Sequence, residues 1–215
     1  DIDNTLRHAI TKLSNIHFTH SKKSAQRVLQ MGEELWRVHT VGIVSLDTIL
    51  NAEFLSKKNI LSKLNVPFGD YVIIVFHPTT TEWQDAGWQF EKIIKSSLKA
   101  IRGKMSLLVF YPNSYSGADK IIKILGKFKN NNKIHIIKNM SHEQYLSLLK
   151  HSSCIAGNSS SGIVEAVSLK VGAVDIGNRQ KFRETPKNVI KVDFKEESMK
   201  KAIERILYNK SFRAM

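Results

Sequence analysis

Ser153-Cys154-Ile155-Ala156-Gly157-Asn158-Ser159-Ser160-Ser161-Gly162-Ile163-Val164-Glu165-Ala166 is the stretch that decides how this chain is read. A short apolar run ends in glycine, a serine-rich loop follows, and an apolar pattern of helical spacing begins at Gly162. Strand, tight loop and helix in that order form the unit from which parallel α/β sheets are assembled. Gly157 permits a sharp turn and a close approach of backbone. The hydroxyls of Ser159, Ser160 and Ser161, with the free N–H groups of a following helix, make a site suited to a diphosphate. Glu165, one turn into that helix, is placed to accept hydrogen bonds from the vicinal hydroxyls of a ribose. A serine-rich helix cap with no ligand would show the same spacing. The loop carries neither the Gly-Lys-Ser/Thr of a Walker loop nor a Gly-x-Gly-x-x-Gly fingerprint.

Outward from this stretch the same alternation continues. Strands are expected at Ile16–Thr19, Val38–Gly42, Tyr71–Phe76, Ser106–Phe110, Lys133–Ile137, Cys154–Gly157, Ala173–Ile176 and Val189–Val192, several of them short, β-branched and bounded by turn residues. Helical patterns lie between them at Thr5–Leu13, Lys22–Met31, Glu82–Ile101, Asp119–Phe128, His142–His151, Gly162–Leu169 and Glu196–Leu207. Ser141 is the expected N-cap of one helix. The fold class is α/β, a Rossmann-like parallel sheet flanked by helices. The expected division places residues 1–42 as the tail of a preceding domain, 43–208 as a nucleotide-binding domain and 209–215 as a terminal tail.

Other polar loops would meet the serine loop at the carboxyl edge of such a sheet, where α/β proteins bind ligands. His77 directly follows one strand, within Phe76-His77-Pro78-Thr79-Thr80-Thr81-Glu82, and is a candidate phosphate donor or acid–base group. Asn113 ends another, as a base or sugar contact or a simple Pro-Asn turn. Arg179, Lys181 and Arg183 follow a third, and guanidinium groups fork onto phosphate oxygens. A charged solvated loop would read the same way.

Bulk composition sets outer limits. The 215 residues are 42% hydrophobic and 24% charged, as in a folded globular protein. The formal net charge is +14, which attracts polyanions, but the lysines are scattered along polar helix faces, so nucleic acid is disfavoured as a partner. No apolar run approaches the roughly 18 residues that span a bilayer. The start, Asp1-Ile2-Asp3-Asn4, has neither a signal-peptide pattern nor an initiator Met, so the chain reads as a fragment. One cysteine, Cys154, sits in an expected buried strand as a structural thiol, and a single cysteine fits a reducing cytoplasm. The histidines show no metal-ligand spacing, so no metal site is expected, and His135, alternating within a strand, is expected to be exposed.

Taken in order, these segments resemble the hydrolysing UDP-N-acetylglucosamine 2-epimerases. The resemblance is carried by Arg7–Ser14, Val41-Gly42 with Asp47, His77-Pro78 through Glu82, Pro112-Asn113 with Gly117, Gly157–Gly162 with Glu165-Ala166, and Arg179-Gln180-Lys181 with Arg183-Glu184. It implies a GT-B-type protein with a UDP-sugar between two domains, of which this chain holds the carboxy-terminal one and the end of the other. It also implies a reaction without metal or nicotinamide cofactor. The C2 proton is removed, UDP leaves by anti-elimination, and water adds to the 2-acetamidoglucal to give N-acetylmannosamine for sialic acid or related capsule sugars. On this resemblance His77 and Asn113 contact UDP, Ser159, Ser160 and Ser161 hold the diphosphate, Glu165 holds the ribose, and Arg179 and Arg183 lie near phosphate. Asp3, His17 and His77 are the candidate catalytic residues, and the chain supplies mainly UDP binding. A homo-oligomer or a complementing amino-terminal domain is the expected macromolecular partner. Asn4, Tyr115 and Phe182 depart from the family pattern, at positions where an acid, an Asp and a Gly are usual. Half of a UDP-sugar glycosyltransferase, or a non-catalytic nucleotide-sugar-binding domain, is the alternative.

Overall fold

The computed structural model describes residues 2–209, with side chains from Thr5 onward. The chain divides into two compact units, Asp1–Asn51 and Ala52–Met215, which part beyond the Gly42 at which the sequence suggests a change. The first unit runs α1 (Ile2–Leu13), β1 (His17–Thr19), α2 (Lys22–Gln30), β2 (Val38–Thr40) and α3 (Ser45–Leu50). Its two strands pair in parallel, His17 opposite Val38. Ser21 caps α2 by accepting the Ser24 N–H, as a serine N-cap does for an otherwise orphaned donor.

The second unit holds α4 (Lys57–Lys63), β3 (Tyr71–Val75), α5 (Ala86–Ala100), β4 (Ser106–Phe110), α6 (Ala118–Phe128), β5 (Ile134–Ile137), α7 (His142–Lys150), β6 (Cys154–Gly157), α8 (Glu165–Ser168), β7 (Ala173–Ile176), β8 (Val189–Val192) and α9 (Glu196–Tyr208). All six strands are parallel, in the order β5-β4-β3-β6-β7-β8. This is the doubly wound order, in which the chain builds outward from β3 and then returns to its other side at β6. The carboxyl ends of β3 and β6 are therefore a topological switch point, where the connections diverge and leave a crevice.

Alternation along the strands explains the layers. Val72, Ile74 and Phe76 join α5, α6 and α9 in one buried cluster. Tyr71, Ile73 and Val75 face the other way into a cluster with Ile60 and Leu61 of α4, Leu148 and Leu149 of α7, and Ala166 of α8. With both faces covered, the central strand β3 is buried at every residue, which is why it reads as an unbroken apolar run. Ser141 caps α7 as expected, in a capping box with Gln144.

Several expectations change. The strand and helix registers hold to within a few residues, but α3 and α4 are additional short helices. The expected helix from Glu82 opens as a 3-10 turn at Trp83–Asp85 before α5 begins. The segment Gly162–Leu169 is not one helix. It is a 3-10 turn at Ser160–Gly162, a break at Val164 (φ −117°, ψ −75°), and the single turn of α8. The β-branched pair Ile163-Val164 is drawn into the core under this face, and branched side chains resist helical packing. His135 is half-buried rather than exposed, with Nε2 unpartnered, and burial lowers its pKa. Cys154 is fully buried and burial pushes its thiol up, consistent with a structural role. Among the described residues no helix is long and apolar enough to cross a membrane. Apart from Asn209, the expected tail lies outside the described residues.

Candidate functional site

At the switch point the ends of β3 and β6 are joined by one side chain. Asn158, 2% exposed, accepts the His77 N–H at 2.8 Å through Oδ1 and donates to the His77 carbonyl at 2.7 Å through Nδ2. This reciprocal pair binds the two carboxyl ends across the diverging connections. The Asn158 carbonyl in turn accepts Arg179 Nη1 at 3.1 Å and Gln180 Nε2 at 2.8 Å from the loop after β7. Thus loops that follow three different strands are stitched to a single residue.

The His77 ring is set by a third contact. The Asn113 N–H donates to His77 Nδ1 at 3.3 Å. A ring nitrogen that accepts cannot carry the proton, so the neutral tautomer holds its hydrogen on Nε2 and presents a donor there. Burial, with the Arg179 guanidinium as a second cause, brings the His77 pKa down to about 4. His77 is therefore an uncharged hydrogen-bond donor at neutral pH. Replacing Arg179 with alanine is expected to move that pKa up, only part of the way to the ordinary histidine range because burial remains. An NMR titration of the His77 ring protons would show no movement if Arg179 were distant.

In the serine loop Ser159 Oγ accepts the Ser161 N–H at 3.3 Å, and the Ser159 carbonyl accepts the Gly162 N–H at 3.2 Å. Among the described residues the amide N–H groups of Ser159 and Ser160 bond to no acceptor of the chain. Ser159 and Ser160 are half-exposed. Ser161 is buried, and its hydroxyl is engaged with the Tyr145 hydroxyl. Burial raises the Tyr145 pKa, and the nearby Glu165 charge adds to it. The single turn of α8 leaves little helix dipole, so the anion-binding capacity of this loop rests on its amides and hydroxyls.

Buried polar atoms without a partner concentrate here. Of nine such atoms among the described residues, five belong to Asn113, Glu165, Asp175 and Gln180, all in or beside these loops. Native structures rarely leave such groups unpaired without a reason. Arg183 is exposed on the same loop as Arg179. Phe182, between them in number, is 80% exposed. A groove of about 710 Å³ lined by Asp70, Ser153, Lys170 and Asn188 lies instead at the opposite, amino edge of the sheet.

The other candidates lie in the first unit. His17 is 7% exposed and its Nε2 meets Glu33 Oε2 at 3.1 Å. Glu33 also takes Lys12 Nζ at 2.6 Å and Arg37 Nη1 at 3.4 Å, and Lys12 and His17 hold its carboxyl below the usual range. The Asp3 side chain lies outside the described residues. Asn158, Gln180, Asp175, Tyr145 and Glu33 were not singled out from the sequence. The signal for Asp175 was available, as one acid within the apolar strand Ala173-Val174-Asp175-Ile176.

A family model described as UDP-N-acetylglucosamine 2-epimerase matches residues 1–215. A Neisseria meningitidis serogroup B protein named UDP-N-acetylglucosamine 2-epimerase is 31% identical over 208 residues, which is 95% of this chain and 53% of that protein. The polysialic acid biosynthesis protein P7 of Escherichia coli is 30% identical over 201 residues, 94% of this chain and 51% of its own length. The chain thus spans about half the length of the curated relatives it matches. The crystal structure of Methanocaldococcus jannaschii UDP-GlcNAc 2-epimerase in complex with UDP-GlcNAc and UDP superposes with a TM-score of 0.72 at 21% identity, covering 93% of this chain and 56% of that one. That likeness establishes the fold, one half of a GT-B-type arrangement.

Proposed function

The chain belongs to the UDP-N-acetylglucosamine 2-epimerase family, and from that premise we propose that its second unit holds the uridine diphosphate of a UDP-N-acetylhexosamine for hydrolysing 2-epimerisation. The observation that carries this reading is the cluster of unpartnered polar groups at the switch point, beside loop amides that bond to no acceptor among the described residues. A nucleoside diphosphate supplies what they lack. Its phosphate oxygens accept from the Ser159 and Ser160 amides and hydroxyls, from His77 Nε2–H and from Arg179. Its ribose hydroxyls donate to Glu165 Oε2, and Asn113 Oδ1 is an acceptor for the base or sugar.

His77, fixed as a neutral donor by the Asn113 amide, suits stabilising the negative charge that grows on the leaving diphosphate. Such a donor acts without first giving up a proton of its own. Asp3 and His17 are proposed for proton transfer at the sugar, and the reaction as a whole belongs to the full-length protein of which this chain matches about half. The product is an N-acetylmannosamine-type sugar, and the match to a polysialic acid biosynthesis protein supports a role in making acidic surface polysaccharide. The family match supports this reading over half of a UDP-sugar glycosyltransferase.

Titrating UDP into the chain calorimetrically tests the reading. Ser160→Ala and Glu165→Ala are each expected to weaken binding by about 5- to 10-fold, the loss of one hydrogen bond to a charged or polar partner. Unchanged affinity in both variants would remove the serine loop from the site.

A further inference from the structure

Asp175, the third residue of β7, is 4% exposed, and neither carboxylate oxygen has a hydrogen-bond partner among the described residues. It pairs in register with Gly157 of β6 on one side and Lys191 of β8 on the other. With Gly157, Ser159 and Gly162 it lines a small crevice directly at the serine loop. Its charged neighbours are Lys191 and Arg179. The serine loop and β6 bring no ionisable group to that crevice, which Ile155, Gly157, Ser159 and Gly162 line from that side. On the opposite face of the sheet α9 buries Met199, Ala202, Ile203 and Ile206, all uncharged. The other titratable groups of the site are His77, which also feels Arg179, and Glu165 and Tyr145 beside the serine loop.

Resting on the nucleotide reading, we propose that Asp175 is a positioning residue of this site that takes up a proton when a diphosphate binds. Ionised, Asp175 anchors Arg179 and Lys191 in charge but leaves two acceptors unmet in a dry crevice, an arrangement that is costly. A diphosphate that engages Arg179 adds negative charge a few residues away and withdraws the counter-charge that favours the carboxylate. Protonation then relieves the repulsion and supplies an O–H donor to the loop.

The sign of the linkage follows. Burial already brings Asp175 up to about 6 in the free chain, against the pull of Lys191 and Arg179. Binding raises it further, so protons are taken up between the free and bound values. Affinity therefore increases as pH falls from above the bound value toward 6, and is flat below. A rise of about one unit on binding corresponds to about a tenfold change in affinity. His77, with its pKa near 4, stays neutral across pH 5.5 to 8 in the free chain.

The test is calorimetry with UDP-N-acetylglucosamine, whose diester pyrophosphate does not titrate here, unlike the terminal phosphate of UDP, which ionises near pH 6. Titrations at pH 6.5 in two buffers of different ionisation enthalpy count protons directly. The wild-type chain is expected to take up about half a proton per ligand and to bind about 3- to 10-fold more tightly at pH 5.5 than at pH 8. In Asp175→Asn, an uncharged isostere, uptake should vanish and the affinity at every pH should match the wild type at pH 5.5. Binding by the wild type without proton uptake overturns the proposal, and that measurement stands even if the variant does not fold. Full linkage retained in Asp175→Asn also overturns it and assigns the proton to another group of the site, His77 or Glu165. Failure of the wild type to bind at any pH overturns the nucleotide reading itself, and this proposal with it.

Discussion

Replacing Gly157 with alanine is expected to destabilise the second unit by about 4 kcal/mol or more. Gly157 has φ +141°, and a Cβ built there would lie 1.9 Å from the Val75 carbonyl oxygen and 2.7 Å from its carbon. Neither atom is a flexible side-chain end. Both belong to the backbone of β3, which pairs with β6 at that residue and whose carbonyl also accepts the Asn158 N–H at 3.1 Å. The strands would have to separate where the two halves of the sheet meet. Strain in such a backbone region costs on the order of 1–3 kcal/mol, before the lost strand pairing is counted. The total expected is about 4 kcal/mol or more, a large fraction of the roughly 5–15 kcal/mol that holds a domain together. For a unit of this size that lowers the melting temperature by about 8–16 °C. Gly126→Ala is the internal control. Gly126 lies inside α6 with no atom within 4 Å of its added Cβ, so alanine should be neutral or stabilising by up to about 1 kcal/mol. Circular dichroism melts of the two variants separate the explanations. A loss under 3 °C for Gly157→Ala would contradict the close approach of β3 and β6.

Much of this architecture was legible because the features that announce it are local. The unbroken apolar run Tyr71–Phe76 and its shorter counterparts mark strands buried on two faces, and the 15 residues of α5 carry a clear amphipathic period. The loops with His77, Asn113 and Arg179 could be placed at one edge from strand direction alone. What escaped depends on partners remote in sequence. Asn158 sits in the serine loop, but its work is done on His77, 81 residues away. Tyr145 carries no motif and acquires meaning only beside Ser161. Glu33 reads as an ordinary surface acid until Lys12 and His17 fold onto it. The helix expected after the loop failed for the opposite reason. Its periodicity is real, but Ile163 is anchored in the core and the helix is distorted at Val164, leaving only the turn Glu165–Ser168 of the expected span. Tertiary packing decided that segment against its local pattern.

The same logic makes Asn158 the residue on which binding depends most. Substitution by alanine leaves the His77 N–H and carbonyl without their partners at the sheet's switch point. Each buried backbone group so stranded costs about 1–3 kcal/mol, so a loss of about 2–5 kcal/mol is expected. The ligand effect should be larger than this stability cost alone suggests. Among the described residues the Asn158 side chain alone hydrogen-bonds the His77 backbone to the end of β6, while Asn113 positions only its ring. Displacing His77, and with it the carbonyl of residue 158 that anchors Arg179 and Gln180, removes two phosphate donors together. UDP affinity should fall at least 100-fold, about 2.7 kcal/mol or more. Asn158→Asp distinguishes pairing from packing. The carboxylate has the same shape and still accepts the His77 N–H, but its second oxygen faces the His77 carbonyl and has no proton to give. If the reciprocal pair is what holds the site, aspartate should bind UDP-N-acetylglucosamine as poorly as alanine does at pH 8 and, measured against the wild type at the same pH, recover partly at pH 5, where a protonated acid can donate again. Affinity equal to wild type for aspartate at pH 8 would mean that shape alone keeps β3 and β6 in place.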